Sequence, residues 1–158
     1  MTWPVSDTVG PTRVVEGFPV CFEHSPIGAA LAATTIAFSL TDHSAESTAN
    51  FWVIDSPGKS IYVENARAAE AAQGNLIVNG FAAQGATVAG FRIDDYTGDT
   101  ASVRVVVQVP GSARGYLGGQ YTLVWVDGDW RQRVNDLGKT APAASMFRDE
   151  FTHWSSDG

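Results

Sequence analysis

"HSPIGAALAATTIAFSL", residues 24–40, is the most apolar helical-looking stretch of the chain. Three readings compete for it: a membrane span, the floor of a catalytic pocket, or a helix lying under a sheet. A span needs about 20 consecutive apolar residues. The apolar part here, 27–40, is shorter, carries Thr34, Thr35 and Ser39, and is stopped by the polar "TDHSAEST" at 41–48. A span is therefore not expected. The start has ordinary helix punctuation: Ser25 can cap, and Pro26 takes the first helical position, where its missing N–H costs nothing. Ile27, Leu31, Thr34 and Phe38 recur at helical spacing, and Ala30, Ala33 and Ala37 let a second element approach closely. The stretch reads as a core helix, in which burying Leu31 and Phe38 contributes about 1.5–3 kcal/mol each.

Around it, residues 1–23 read as an extended arm punctuated by Pro4, Gly10-Pro11 and Gly17 and anchored by Trp3, Val14, Phe18 and Phe22. Residues 45–74 predict one or two further helices, with Gly74 as the stop. The alanine-rich piece at 66–72 should bury little. After Gly80 the character changes. "ATVAGFRIDDY" (86–96) and "ASVRVVVQVP" (101–110) are rich in β-branched residues and flank the turn-forming "TGD". "QYTLVWV" and "WRQRV" flank Asp127-Gly128, a strong signal for a tight hairpin. Tyr121, Leu123 and Trp125 share one face of their strand, and both faces of 101–110 are fairly apolar, so the sheet should be covered on both sides. In the tail, Met146, Phe147, Phe151 and Trp154 fall at nearly helical intervals, which predicts a short helix packing back on the sheet. The order is an arm (1–23), a single α+β domain (24–141) and a tail (142–158). Helices before strands argue for α+β with an antiparallel sheet rather than a parallel doubly wound one.

At 158 residues the chain suits one domain with a real core, and 44% hydrophobic with 17% charged residues excludes a disordered composition. The formal net charge of -7 disfavours nucleic-acid binding, since phosphate backbones would be repelled. Cys21 is the one cysteine and cannot form an internal disulfide.

Reactive clusters are not apparent. His24, His43 and His153 lack ligand spacing, and Cys21 beside His24 is better read as a small hydrophobe next to a helix start than as a nucleophile with its base. Asp94, Asp95 and Tyr96 end a strand. Asp94 has two readings, a cavity base or a residue leading into a turn, and the turn is favoured because successive strand residues face opposite sides, so at most one of the two carboxylates points inward. "DGDW" lacks the length of a calcium loop, "GYLGGQ" precedes no phosphate-binding helix, and no G-x-S-x-G occurs. No catalytic residue, metal site or cofactor is expected.

Three stretches, "PVSDTVGP…EGFPVCFEHSPIGAALAA", "VAGFRIDDYTGDTASVRVVV" and "YTLVWVDGDWR", together resemble proteins encoded on actinobacterial conjugative elements and phages. In that group a "GP", a "G(F/Y)xHTPxGAxxAA" helix start and a late "WxDGDW" hairpin recur in this order. The resemblance spans roughly residues 4–134 and departs at Ser25, where the group usually has Thr. It implies the nuclear-transport-factor-2-like fold: a curved antiparallel sheet packed on N-terminal helices, forming a cone with a cavity. Conjugation assembly factors of the TcpC type use that fold without catalysis and carry an N-terminal membrane helix, which residues 1–23 do not supply. The compartment accordingly depends on Met1: cytoplasmic where it is the native start, extracytoplasmic where a membrane helix precedes it.

The function expected from this is a non-catalytic interaction or assembly domain of a mobile genetic element, with a protein partner or self-association and no nucleic acid. Five tryptophans are more than a core of this size needs, so Trp3, Trp130 and Trp154 are candidate interaction aromatics. The alternatives are a small-molecule-binding or isomerase- or dehydratase-type cone enzyme, its cavity lined by Trp52, Tyr62, Asp94 and Tyr96, and a phage accessory protein that binds a host factor.

Overall fold

The computed structural model describes residues 3–75 and 80–154; residues 1–2 of the arm, 76–79 of the central region and 155–158 of the tail lie outside them. The chain opens with a two-stranded ribbon, β1 (Arg13–Val15) and β2 (Phe18–Val20), and continues through three helices, α1 (Pro26–Phe38), α2 (Ala45–Trp52) and α3 (Lys59–Gln73). Six strands follow: β3 (Thr87–Tyr96), β4 (Thr100–Gln108), β5 (Tyr116–Val126), β6 (Asp129–Arg133), β7 (Ala144–Met146) and β8 (Thr152–His153). They form one antiparallel sheet in the order β6-β5-β4-β3-β8, with β7 pairing on β5. The chain is thus α+β, with helices first and an antiparallel sheet after them.

The helix expected at 24–40 is the centre of the core. The Ser25 hydroxyl accepts from the Gly28 N–H at 3.1 Å, and Pro26 is the first helical residue. Every residue of α1 from Gly28 to Phe38 is buried, as expected of a helix that is apolar all round. The Thr34 hydroxyl donates to the Ala30 carbonyl at 2.8 Å, and the Ser39 hydroxyl, at the C-cap, to the Thr35 carbonyl at 2.7 Å, whereas the buried Thr35 hydroxyl has no partner among the described residues. Gly28 is required by close approach, because a Cβ there would sit 1.9 Å from the Glu23 carbonyl oxygen.

Against α1 lies one face of the sheet. Ala101, Val103, Val105 and Val107 of β4 join the main hydrophobic cluster with Leu31, Phe38 and Leu123. The other face carries Ser102, Arg104 and Gln120 by strand alternation, and Val106 on it is fully buried. At the β5–β6 turn Asp127 (φ 54°) and Gly128 (φ 81°) both take positive φ, the conformation a tight hairpin needs. Trp130 returns across Trp125 with ring centroids 5.3 Å apart.

Asp129, 5% exposed, ties this last hairpin to the arm. Its carboxylate accepts the backbone N–H groups of Cys21 (2.9 Å) and Phe22 (3.0 Å), while the Trp130 indole N–H donates to the Glu23 carbonyl at 3.0 Å.

Two expectations are corrected. The tail is not helical: Met146 enters β7 on one edge of the sheet, whereas β8 pairs with β3 on the other. The near-helical spacing of its apolar residues is satisfied by separate anchors, Phe151 against Tyr116 (5.0 Å between centroids) and Trp154 against Phe91 (4.5 Å). In the arm, Phe18 and Phe22 are buried, but Val14 is 68% exposed, because β2 faces the core and β1 lies outside it.

Candidate functional site

An apolar hollow of about 420 Å³ lies between the helices and the α1-facing side of the sheet. That is a usual size for small-molecule sites, which run from about 300 to 1,000 Å³. Ala37 and Phe38 at the end of α1, Tyr62 from α3 and Phe81 form one wall. Val105, Val107, Leu117 and Gly119 form the floor, and Thr140 to Ala143 close the side. Register explains the floor: Val105 pairs with Gly119 and Val107 with Leu117, so all four point the same way, and the glycine leaves room that any side chain would fill.

Five polar side chains break this apolar lining: Gln120 and Thr140 on its side, and Tyr62, Tyr121 and Gln132 within it. Gln132 pairs with Leu123 and therefore faces inward. It is 2% exposed, and its Nε2 has no hydrogen-bond partner among the described residues. Burial raises the Tyr62 pKa, and the Gln132 amide lowers it only in part. The amide thus lies near enough to act on the phenol without a hydrogen bond of ordinary geometry. Tyr121 is raised further, by burial first and by the neighbouring Tyr62 second. Both phenols are therefore neutral hydrogen-bond donors at physiological pH. Among the described residues no carboxylate or histidine lines this hollow.

A second, polar hollow of about 250 Å³ adjoins the first and shares Gln120, Thr140 and Ala141 with it. Arg133, Lys139, Thr122 and Asn135 complete it. The two meet where β5 lacks a partner on its outer edge. That edge pairs with β6 from Thr122 onward and with β7 up to Gly118, which leaves 119–121 facing the loop at 134–143.

The chain matches, over residues 1–152, the family described as a domain of unknown function, DUF8175. It belongs to that family. No curated protein and no solved structure matches it. Among the described residues no helix is long and apolar enough to cross a membrane, and no cluster of His, Cys, Asp or Glu could hold a metal ion.

Of the residues singled out as cavity-lining, only Tyr62 takes that place in this member of DUF8175. Trp52 is fully buried elsewhere, at 6.0 Å from Phe18, with its indole N–H donating to Ser39 Oγ at 3.2 Å. Asp94 points to the opposite face of the sheet and pairs with Arg92 (2.7 Å) and Arg104 (3.4 Å). Tyr96 packs against Trp130 at 6.1 Å. Among the candidate interaction aromatics, Trp130 is fully buried because its indole is needed at the clasp to Glu23. Trp3 and Trp154 are half-buried, Trp3 stacked on Phe38 and Trp154 tilted against Phe91.

The histidines are engaged as well. His24 stacks on Trp125 at 4.0 Å, and His43 packs on Phe18 at 3.8 Å. Sequence reasoning missed Tyr121 and Gln132 as site residues. Gln132 left one signal, as the polar member of the inward alternation Trp130–Gln132–Val134.

Proposed function

We propose that this chain is a non-catalytic binding domain of the nuclear-transport-factor-2-like type, holding an apolar small molecule in its hollow. The architecture supports the cone reading: helices precede an antiparallel sheet, and β3 breaks register twice, at Val88/Gly90 and Ile93/Asp95, as strands do where a sheet bends. The observation that carries the function is the Gln132 amide, buried and unpartnered in an apolar hollow beside two neutral phenols. A buried donor without a partner costs about 1–3 kcal/mol. A ligand carbonyl or hydroxyl placed among Gln132, Tyr62 and Tyr121 removes that cost and fixes the ligand's orientation. The absence of an acid or base from the walls favours binding over proton-transfer catalysis.

The test is titration with the neutral apolar fluorophore N-phenylnaphthylamine. A Cβ at Gly119 meets only the Tyr121 ring, at 3.7 Å, so Gly119→Leu can project into the hollow without strain at its Cβ. Dye binding to the wild type and its loss in Gly119→Leu are expected. Dye that binds both proteins equally would overturn the reading.

A second reading, an assembly domain of a mobile element with a protein partner, has its own support. The motifs shared with conjugative-element proteins favour it, and so does β1, which among the described residues pairs only with β2 and exposes all three of its residues. An edge of this kind accepts a further strand. Val14→Lys with Val15→Lys should then lower transfer of the host element, and unchanged transfer would count against this reading.

A further inference from the structure

We infer that the ligand is an amphipathic anion, with its apolar body in the apolar hollow and its charged end in the adjoining polar one. The inference rests on the binding reading above and adds the chemical class of the ligand. Arg133 and Lys139 are the cations of the second hollow. Of the other eight cations, Lys59, Arg67, Arg92, Arg104 and Arg131 each lie beside a carboxylate, and Arg13, Arg114 and Arg148, which do not, line neither hollow. Arg133 and Lys139 have no such partner among the described residues, and Asp136, in the same loop, is not a wall of this hollow.

A chain of net charge -7 repels anions on average, so two unpaired cations lining one hollow set a local preference against the global field. Position matters as much as charge. By alternation, Gln120, Thr122 and Arg133 lie on the face of β5 and β6 opposite Tyr121 and Gln132. The two hollows therefore touch only around the unpaired edge at 119–121. A molecule using both must be elongated, with an apolar part next to Leu117 and Phe81, a polar acceptor near Gln132, and an anionic terminus beyond Thr140. Fatty-acid-like carboxylates and aryl sulfonates or carboxylates have this form.

Two dyes that share one aromatic body test the inference: N-phenylnaphthylamine, which is neutral, and its sulfonate, anilinonaphthalene sulfonate. Wild type is expected to bind the sulfonate about three- to tenfold more tightly, a range set by one or two exposed charge contacts. Arg133→Gln with Lys139→Gln should abolish that preference and leave the neutral dye's affinity in place. Gly119→Leu should weaken both dyes, with thermal melting confirming that each variant is folded. Equal affinities in the wild type, or a sulfonate preference that survives the double substitution, would overturn the anionic assignment while leaving the hollow's binding role intact. Failure of the wild type to bind either dye would remove both.

Discussion

The alanine-rich helices α1 and α3 are of similar length, yet every residue of α1 from Gly28 to Phe38 is buried and α3 has no fully buried residue. Alanine content does not separate them; what lies between the alanines does. In α1 the intervening residues are Leu31, Thr34, Thr35, Ile36 and Phe38, and in α3 they include Glu64, Arg67 and Glu70. Alanine is a strong helix former in either setting and permits close approach without choosing a side. One helix therefore organises the core, and the other delivers Tyr62 to the hollow.

That contrast can be broken at several points. Leu31→Ala should cost the most, about 2–5 kcal/mol, visible in urea unfolding. A loss under about 1 kcal/mol would mean that α1 is not the packing centre. Gly28→Ala comes next, at about 1–3 kcal/mol, because the added methyl must displace the Glu23 carbonyl; a neutral result would show that the arm yields easily.

A third test uses pH. Both phenols have folded-state pKa values raised above the ordinary 10.0. Their contribution is therefore fully present below pH 10 and is lost as pH rises beyond it, at up to about 1.4 kcal/mol per pH unit for each phenol. Tyr121→Phe should flatten the alkaline limb of a stability–pH profile, and an unchanged slope would mean that Tyr121 is in contact with water. The smallest effect belongs to α3. Ala68→Gly should cost only its helix propensity, about 1 kcal/mol, and Ala68→Leu close to nothing. A large penalty from Ala68→Leu would show that this exposed face is covered.

Much of this was legible in the sequence. The Ser25-Pro26 start, the Gly74 stop and the Asp127-Gly128 turn are local signals, and each forms where its residues predict. The hollow was not legible, because its polar groups come from α3, β5 and β6 and meet only through the register of the sheet. The tail misled for a related reason: Met146, Phe151 and Trp154 obey a helical period by coincidence while serving two sheet edges. Trp130 looked available because its neighbours in sequence are polar; its indole instead answers a carbonyl more than a hundred positions away in the chain.

The clasp made by Asp129 bears on how the molecule is made. Its partners, Cys21 and Phe22, lie 108 and 107 residues upstream, so during synthesis the arm waits for nearly the whole polypeptide. Until β3 to β5 have been made, the most apolar helix has no sheet to cover it. Contacts this distant slow folding, and exposed apolar segments invite association between nascent chains. Weakening the clasp, as in Asp129→Ala, should therefore reduce the yield of soluble protein during expression more than the melting temperature of the molecules that do fold.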